Sequence, residues 1–173
     1  VLPSLTFVLG GAASGKSLVA ENIIYNSDLQ LVYVATSRIF DDEMQTKINT
    51  HIARRDARWT TISVEKDIPE VLVKLTNNQA VLIDCVTMWL TNIILDGDDV
   101  DLAQSNFLRA LTASSASLVV VSNEVGQGIV PDNALSRQFR EAQGRLNIAL
   151  AARADCVIHV VAGLSQVLKG PNQ

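Results

Sequence analysis

Residues 10–17 read Gly-Gly-Ala-Ala-Ser-Gly-Lys-Ser and follow the apolar run Leu5-Thr6-Phe7-Val8-Leu9. This is the G-x-x-x-x-G-K-[ST] pattern of a P-loop in its proper setting: strand, glycine-rich turn, then a helix-forming stretch from Ser17. The backbone N–H groups of Gly11, Ala12, Ala13, Ser14, Gly15, Lys16 and Ser17 can converge on phosphate oxygens at a helix N-terminus. Lys16 can reach the β- and γ-phosphates, and the Ser17 hydroxyl is placed to ligate Mg²⁺. Gly15 is expected in a backbone conformation closed to other residues. Gly10 and Gly11 are expected to let a ligand approach the chain without a Cβ clash.

Four further sets of residues could carry chemistry. Val81-Leu82-Ile83-Asp84 is an apolar strand ending in a carboxylate. Beside a P-loop, that carboxylate reads as support for Mg²⁺, with a helix N-cap as the competing role. In the segment Asp41–Trp59, Met44, Ile48 and Ile52 define one apolar helix face, and His51 lies at its edge. Lys47, Arg54, Arg55 and Arg58 surround His51, which disfavours its imidazolium and leaves a neutral, nucleophilic ring. On spacing alone, however, the segment reads as an ordinary basic helix end. His159 falls inside a strand and reads as a strand residue. Ser122–Pro131 reads either as a substrate loop or as a plain strand-to-helix connection with Asp132 or Asn133 as cap. Ala35-Thr36-Ser37 could offer hydroxyls to a nucleotide or form a simple turn.

These residues need elements to position them. Strands are expected at Leu5–Leu9, Leu31–Ala35, Trp59–Ser63, Ala80–Asp84, Leu118–Ser122 and Cys156–Val161. Helices are expected at Ser17–Tyr25, Asp41–Arg55, Ile68–Thr76, Thr87–Leu95, Leu102–Ser114 and Asn133–Ala152. The middle strands and the last are near-continuous apolar runs, as in strands buried on both faces. The alternation predicts a mostly parallel central sheet with helices on both sides; with the P-loop, the expected fold is a P-loop NTPase (RecA-like) three-layer α/β/α sandwich, in one catalytic domain over residues 1–173. Such a sheet binds ligands beyond the carboxyl ends of its strands, where the residues above fall.

At 173 residues and 48% hydrophobic content, the chain can bury a real core. A net charge of −4 argues against a nucleic-acid partner. Cys85 and Cys156 read as buried thiols of a reducing compartment. No apolar run reaches the about 18 residues of a membrane span, and no secretory signal is evident, so the expected location is the cytoplasm.

Together these segments resemble the bifunctional adenosylcobinamide kinase/adenosylcobinamide-phosphate guanylyltransferase family of cobalamin biosynthesis. The resemblance runs from about residue 5 to 169. It rests on the P-loop, Tyr33–Ser37, Asp42-Glu43-Met44 with His51 beyond, Asp84–Asn92, Ser122–Pro131, Gly144-Arg145-Leu146-Asn147 and Val161-Ala162-Gly163-Leu164. It implies phosphorylation of the aminopropanol arm of adenosylcobinamide by ATP or GTP. Transfer of GMP from GTP then follows, through a covalent GMP–histidine. The guanylylated histidine falls on His51, and Lys16 serves the phosphates. The nucleotide contacts fall on Gly10–Ser17, Ala35, Thr36, Ser37, Ile52, Ala53, Arg54, Arg55 and Asp84, with Mg²⁺ at Ser17 and Asp84. A homo-oligomer, a trimer in the family, is also implied. The chain departs from the family where a nucleotide-contacting glutamate is expected: Ser63 stands there, with Glu65 two residues on. Two other readings remain: a small-molecule P-loop kinase without nucleotidyl transfer, and a GTP-binding regulatory module. The absence of an Asn-Lys-x-Asp tetrad speaks against the second.

Overall fold

A computed structural model describes residues 2–38 and 56–170. The chain runs β1 (Leu5–Gly10), α1 (Lys16–Tyr25), β2 (Gln30–Ala35), β3 (Trp59–Ser63), α2 (Ile68–Leu72), β4 (Gln79–Asp84) and α3 (Val86–Leu95). It continues with α4 (Val100–Ala113), β5 (Ser117–Asn123), α5 (Ala134–Arg153), β6 (Cys156–Val161) and β7 (Leu164–Lys169). The expected helix over Asp41–Arg55 lies outside the described residues.

The strands form one sheet in the order β3-β2-β4-β5-β1-β6-β7, parallel except for β7. Alternation along each strand sends side chains to two different packings. Phe7, Val34, Ile83 and Val120 meet Ile68, Trp89, Phe107 and Leu146 on the face covered by α2–α5. Val8, Leu31, Leu82 and Val121 meet Ala20 and Ile24 of α1 on the other. The expected three-layer α/β/α architecture is therefore present, with unequal layers among the described residues. No described helix is long and apolar enough to cross a membrane.

Several expectations are corrected. β3 is an edge strand with Thr60, Thr61 and Ser63 exposed, so its apolar run does not make it doubly buried. α2 stops at Leu72 because its last turn tightens: the N–H groups of Lys74 and Leu75 bond three residues back, to Val71 and Leu72. Cys85 and Cys156 are free thiols, half-buried rather than in the core. Strand β7 is an addition to the expected set. It returns antiparallel after a two-residue turn, with Ala162 (φ 50°) and Gly163 (φ 78°) both left-handed. An alanine at the first turn position hides the hairpin, since Asn or Gly is the usual signal there.

Candidate functional site

β1 leads directly into residues 10–17, and the loop's shape has local causes. Gly10 lies in register with Asn123 of β5 and Val160 of β6. A Cβ there would stand 2.7 Å from the Val160 carbonyl oxygen and 2.5 Å from Ser14 Oγ. This glycine therefore serves the packing of chain on chain, whatever ligand is bound. Gly15 takes φ 91°, the left-handed conformation expected of it, and a Cβ there would also meet Gly163 Cα at 3.2 Å.

Two backbone bonds clamp the loop. The Gly163 N–H donates to the Ser14 carbonyl at 2.8 Å, and the Glu124 N–H donates to the Gly10 carbonyl at 3.0 Å. The turn between β6 and β7 thus supports one side and the end of β5 the other. Beyond the loop, α1 begins with no capping side chain and no acidic residue in its first turn. By contrast, α4 and α5 are capped by Asp99 and Asn133, which accept from Leu102 N and Ser136 N. The orphan N–H groups of α1 have no capping side chain and sit at the positive end of its dipole, an arrangement suited to an anion. Lys16 is buried, and its Nζ donates to the Gly11 carbonyl at 3.0 Å, folded over its own loop.

A cavity of about 610 Å³ opens beside the loop. Its walls are Gly11–Ser14, then Glu124, Val125, Gln127 and Gly128 after β5, and His159, Val160, Val161 and Ala162 on β6 and its turn. The segment after β5 is thus brought to the P-loop, in keeping with the substrate-loop reading. His159 lies inside β6, as expected of a strand residue; β6 is next to the sheet edge, and His159 is half-buried and lines the cavity.

Asp84 ends β4 in register with Ala35 and Val121, half-buried. One strand, β5, stands between it and the P-loop strand. Cys85, not Asp84, occupies the N-cap position of α3, and it makes no capping bond. The N-cap role for Asp84 is therefore not what the structure shows. The Tyr33 hydroxyl lies 3.4 Å from Asp84 Oδ2. Burial, and then the Asp84 carboxylate, push the Cys85 thiol up to about 11, so it is a weak nucleophile at neutral pH.

The turn after β2 is held by side chains. Thr36 is fully buried; its hydroxyl donates to the Cys85 carbonyl at 2.7 Å and accepts from Cys85 N–H at 3.1 Å. Of the two hydroxyls expected to face a nucleotide there, Thr36's is committed to the backbone, while Ser37 is half-exposed. Buried Asn92 donates to the carbonyls of Thr36 and Glu65, at 2.8 and 3.0 Å. Glu65 pairs with Arg38 Nε, and Ser63 is exposed at the end of β3. His51 and Ile52, Ala53, Arg54 and Arg55 lie outside the described residues.

Sequence reasoning passes over a second buried set. Gln143 and Asn147 of α5 meet Ser122 at the end of β5: Gln143 Nε2 donates to Ser122 Oγ at 2.9 Å, and Ser122 Oγ donates to Asn147 Oδ1 at 2.6 Å. Asn147 Nδ2 donates to the Asn123 carbonyl at 3.2 Å, and Thr87 Oγ1 accepts from Asn123 N–H at 2.8 Å. The one signal for it in the chain is a pair of amides four apart on the apolar face of α5.

A family model described as cobinamide kinase / cobinamide phosphate guanyltransferase matches residues 6–168. The chain belongs to that family. The bifunctional adenosylcobalamin biosynthesis protein CobP of Pseudomonas aeruginosa is 39% identical over 166 residues, covering 94% of this chain and 96% of that one. The bifunctional adenosylcobalamin biosynthesis protein CobU of Escherichia coli strain K12 is 38% identical over 181 residues, covering 95% and 99%. Among solved structures, a Pyrococcus horikoshii OT3 protein superposes with TM-score 0.58 at 11% identity, covering 99% of this chain and 89% of that one. An ATPase of the type III secretion system of pathogenic bacteria gives 0.59 at 12%, covering 96% and 57%. Those two likenesses show the fold, an α/β P-loop NTPase fold. As a member of the cobinamide kinase / guanyltransferase family, this chain is a transferase. The phosphate cradle at the start of α1 and the cavity beside it are where its described residues converge.

Proposed function

We propose that this protein phosphorylates the alcohol of the aminopropanol arm of adenosylcobinamide with a nucleoside triphosphate. It then transfers GMP from GTP to the resulting phosphate through a covalent GMP–His51 intermediate, releasing pyrophosphate. The observation that carries the proposal is the uncapped amino end of α1 behind a clamped glycine loop, in a chain matched to this family over residues 6–168.

The residues have separate tasks. The N–H groups of Gly11–Ser17 cradle phosphate oxygens, and Gly10 keeps the loop tight against β6. Lys16 exchanges its bond to the Gly11 carbonyl for a phosphate oxygen and so draws charge off the γ-phosphate or, in the second reaction, off departing pyrophosphate. Ser37, the backbone of Ala35 and Thr36, and Ile52, Ala53, Arg54 and Arg55 contact the nucleotide in this reading.

Ser17 and Asp84 are hard oxygen donors at the start of α1 and the end of β4. This small set suits Mg²⁺, which keeps waters and takes the rest of its shell from phosphates. Mg²⁺ bound there would supply charge neutralisation on the phosphates. In guanylyl transfer, the neutral His51 ring attacks the α-phosphorus and pyrophosphate departs. The phosphorylated arm then displaces His51. A homo-oligomer belongs to the proposal, supported by the wholly exposed strand β7 with Leu164, Val167 and Leu168 outward.

The test is incubation with [α-³²P]GTP and Mg²⁺. Wild-type protein is expected to carry the label, and His51→Ala to lose it while still phosphorylating cobinamide. A folded, Mg²⁺-supplied wild type that takes no label would leave a kinase alone, and label surviving in His51→Ala would move the nucleophile elsewhere.

A further inference from the structure

We propose that Glu124 is the general base of the phosphoryl-transfer step and that the cavity beside the P-loop receives the acceptor alcohol. The proposal rests on the kinase reading above.

Position comes first. β5 is the immediate neighbour of the P-loop strand, and Asn123 sits opposite Gly10. Glu124 is therefore the first residue past the sheet beside the phosphate cradle. Its N–H is bonded to the Gly10 carbonyl at 3.0 Å. The main chain that bears this carboxylate is thus tied to the loop's first residue.

The cavity comes second. Among the described residues that line it, Glu124 is the sole carboxylate. About 610 Å³ accommodates a flexible arm ending in an alcohol, within the range of small-ligand sites. A tetrapyrrole-sized ring need not enter; it would rest outside the mouth.

Orientation comes third. The Gly126 N–H donates to Glu124 Oε1, which turns the carboxylate and leaves Oε2 as the proton acceptor. Arg140 of α5 holds the loop from behind by donating to the carbonyls of Gly126 and Gly128. Gln143 and Asn147 fix Ser122 and Asn123 immediately before it. Both supports come from one helix, so the base is held on packed structure although it lies in a connection.

In the transfer, the alcohol oxygen forms a bond to the γ-phosphorus. The bond from that phosphorus to the β,γ-bridging oxygen breaks, and the nucleoside diphosphate leaves with the electron pair. The alcohol proton passes to Glu124 Oε2.

The experiment measures phosphorylation of cobinamide by product mass, with nucleotide affinity by calorimetry, for wild type, Glu124→Gln and Glu124→Asp. Loss of a general base lowers rates by about 10²–10⁴. Glu124→Gln is expected to show that fall in kcat with nucleotide Kd close to wild type. Glu124→Asp keeps a carboxylate on a shorter stem and is expected to recover part of the rate. It also serves as the readout if Glu124→Gln does not fold. A Glu124→Gln kcat near wild type would overturn the proposal. So would a Kd that weakens in step with kcat, since that would make Glu124 a nucleotide-holding group, and so would Glu124→Asp no faster than Glu124→Gln. A wild-type protein that leaves cobinamide unphosphorylated would remove the kinase reading itself, a separate and recognisable result.

Discussion

Two networks hold the loops at this sheet, and they are built from opposite materials. Beside the P-loop, Ser122, Gln143, Asn147 and Thr87 form a largely buried, neutral set of hydrogen bonds. Where the turns after β2 and β3 meet the loop after α3, Arg38, Glu65, Lys66, Asp96 and Asp98 form a partly exposed ionic set, with Arg38 forked onto Asp96 at 2.7 Å on both arms. The neutral set gains its strength from the low dielectric around it and depends on every partner being present. The ionic set sits in water, which weakens each pair, and gains from being a network. The end of β5 beside the P-loop is therefore held by neutral, dry bonds. The side that carries Arg38 and Asp96 is tied by charges that salt and acid can loosen.

That contrast can be broken at three points. The largest effect is expected on the dry side from Gly10→Ala, whose Cβ would be forced 2.7 Å from the Val160 carbonyl oxygen. Overpacking of this kind costs about 3 kcal/mol, read as urea-melt stability, with nucleotide binding lost alongside. A variant melting like wild type would show that the loop and β6 are not in close contact.

Next comes Asn147→Ala, which strips partners from Ser122 and Gln143 and is expected to cost about 1–3 kcal/mol. Because no formal charge changes, the loss should be the same in low and high salt and across neutral to mildly acidic pH. A salt-dependent loss would undo the distinction between the two networks.

The smallest effect is expected from Asp96→Asn. Hydrogen bonds from Arg38, then from Lys66, hold the Asp96 carboxyl well below the usual carboxylate range. A depressed folded-state pKa adds stability that is present above the unfolded value, near 4, and is lost as pH falls toward the folded one. Wild type should therefore melt slightly above the variant at pH 7. The gap should close as pH drops below about 4, and also in high salt. A gap that grows on acidification would contradict the assignment.

Much of the site is legible in the order of residues alone. The P-loop announces itself because its chemistry demands particular residues at fixed spacing, and Gly15 is left-handed as that spacing requires. Asn133 is recognisable as a cap, and Asp84 as a carboxylate ending a buried strand. What escapes reading depends on contacts distant in sequence. Glu124 and His159 meet the P-loop only because β5 and β6 flank β1. Thr36 reads as a free hydroxyl until Cys85, 49 residues away, is seen to take both of its hydrogen bonds. Glu65 belongs to Arg38 for the same reason.

Ligand class, the alternating strand-and-helix order and membership of the family all follow from sequence with no further help. Each of these is written in local pattern: a glycine-rich cradle, runs of period two or 3.6, and motif spacing. Folding in three dimensions was needed to settle which carboxylate stands beside the cradle, which hydroxyls are already occupied, and that one side of the site is held by neutral bonds and the other by ions. Strand order and burial set those outcomes, and neither can be read from a residue's neighbours along the chain.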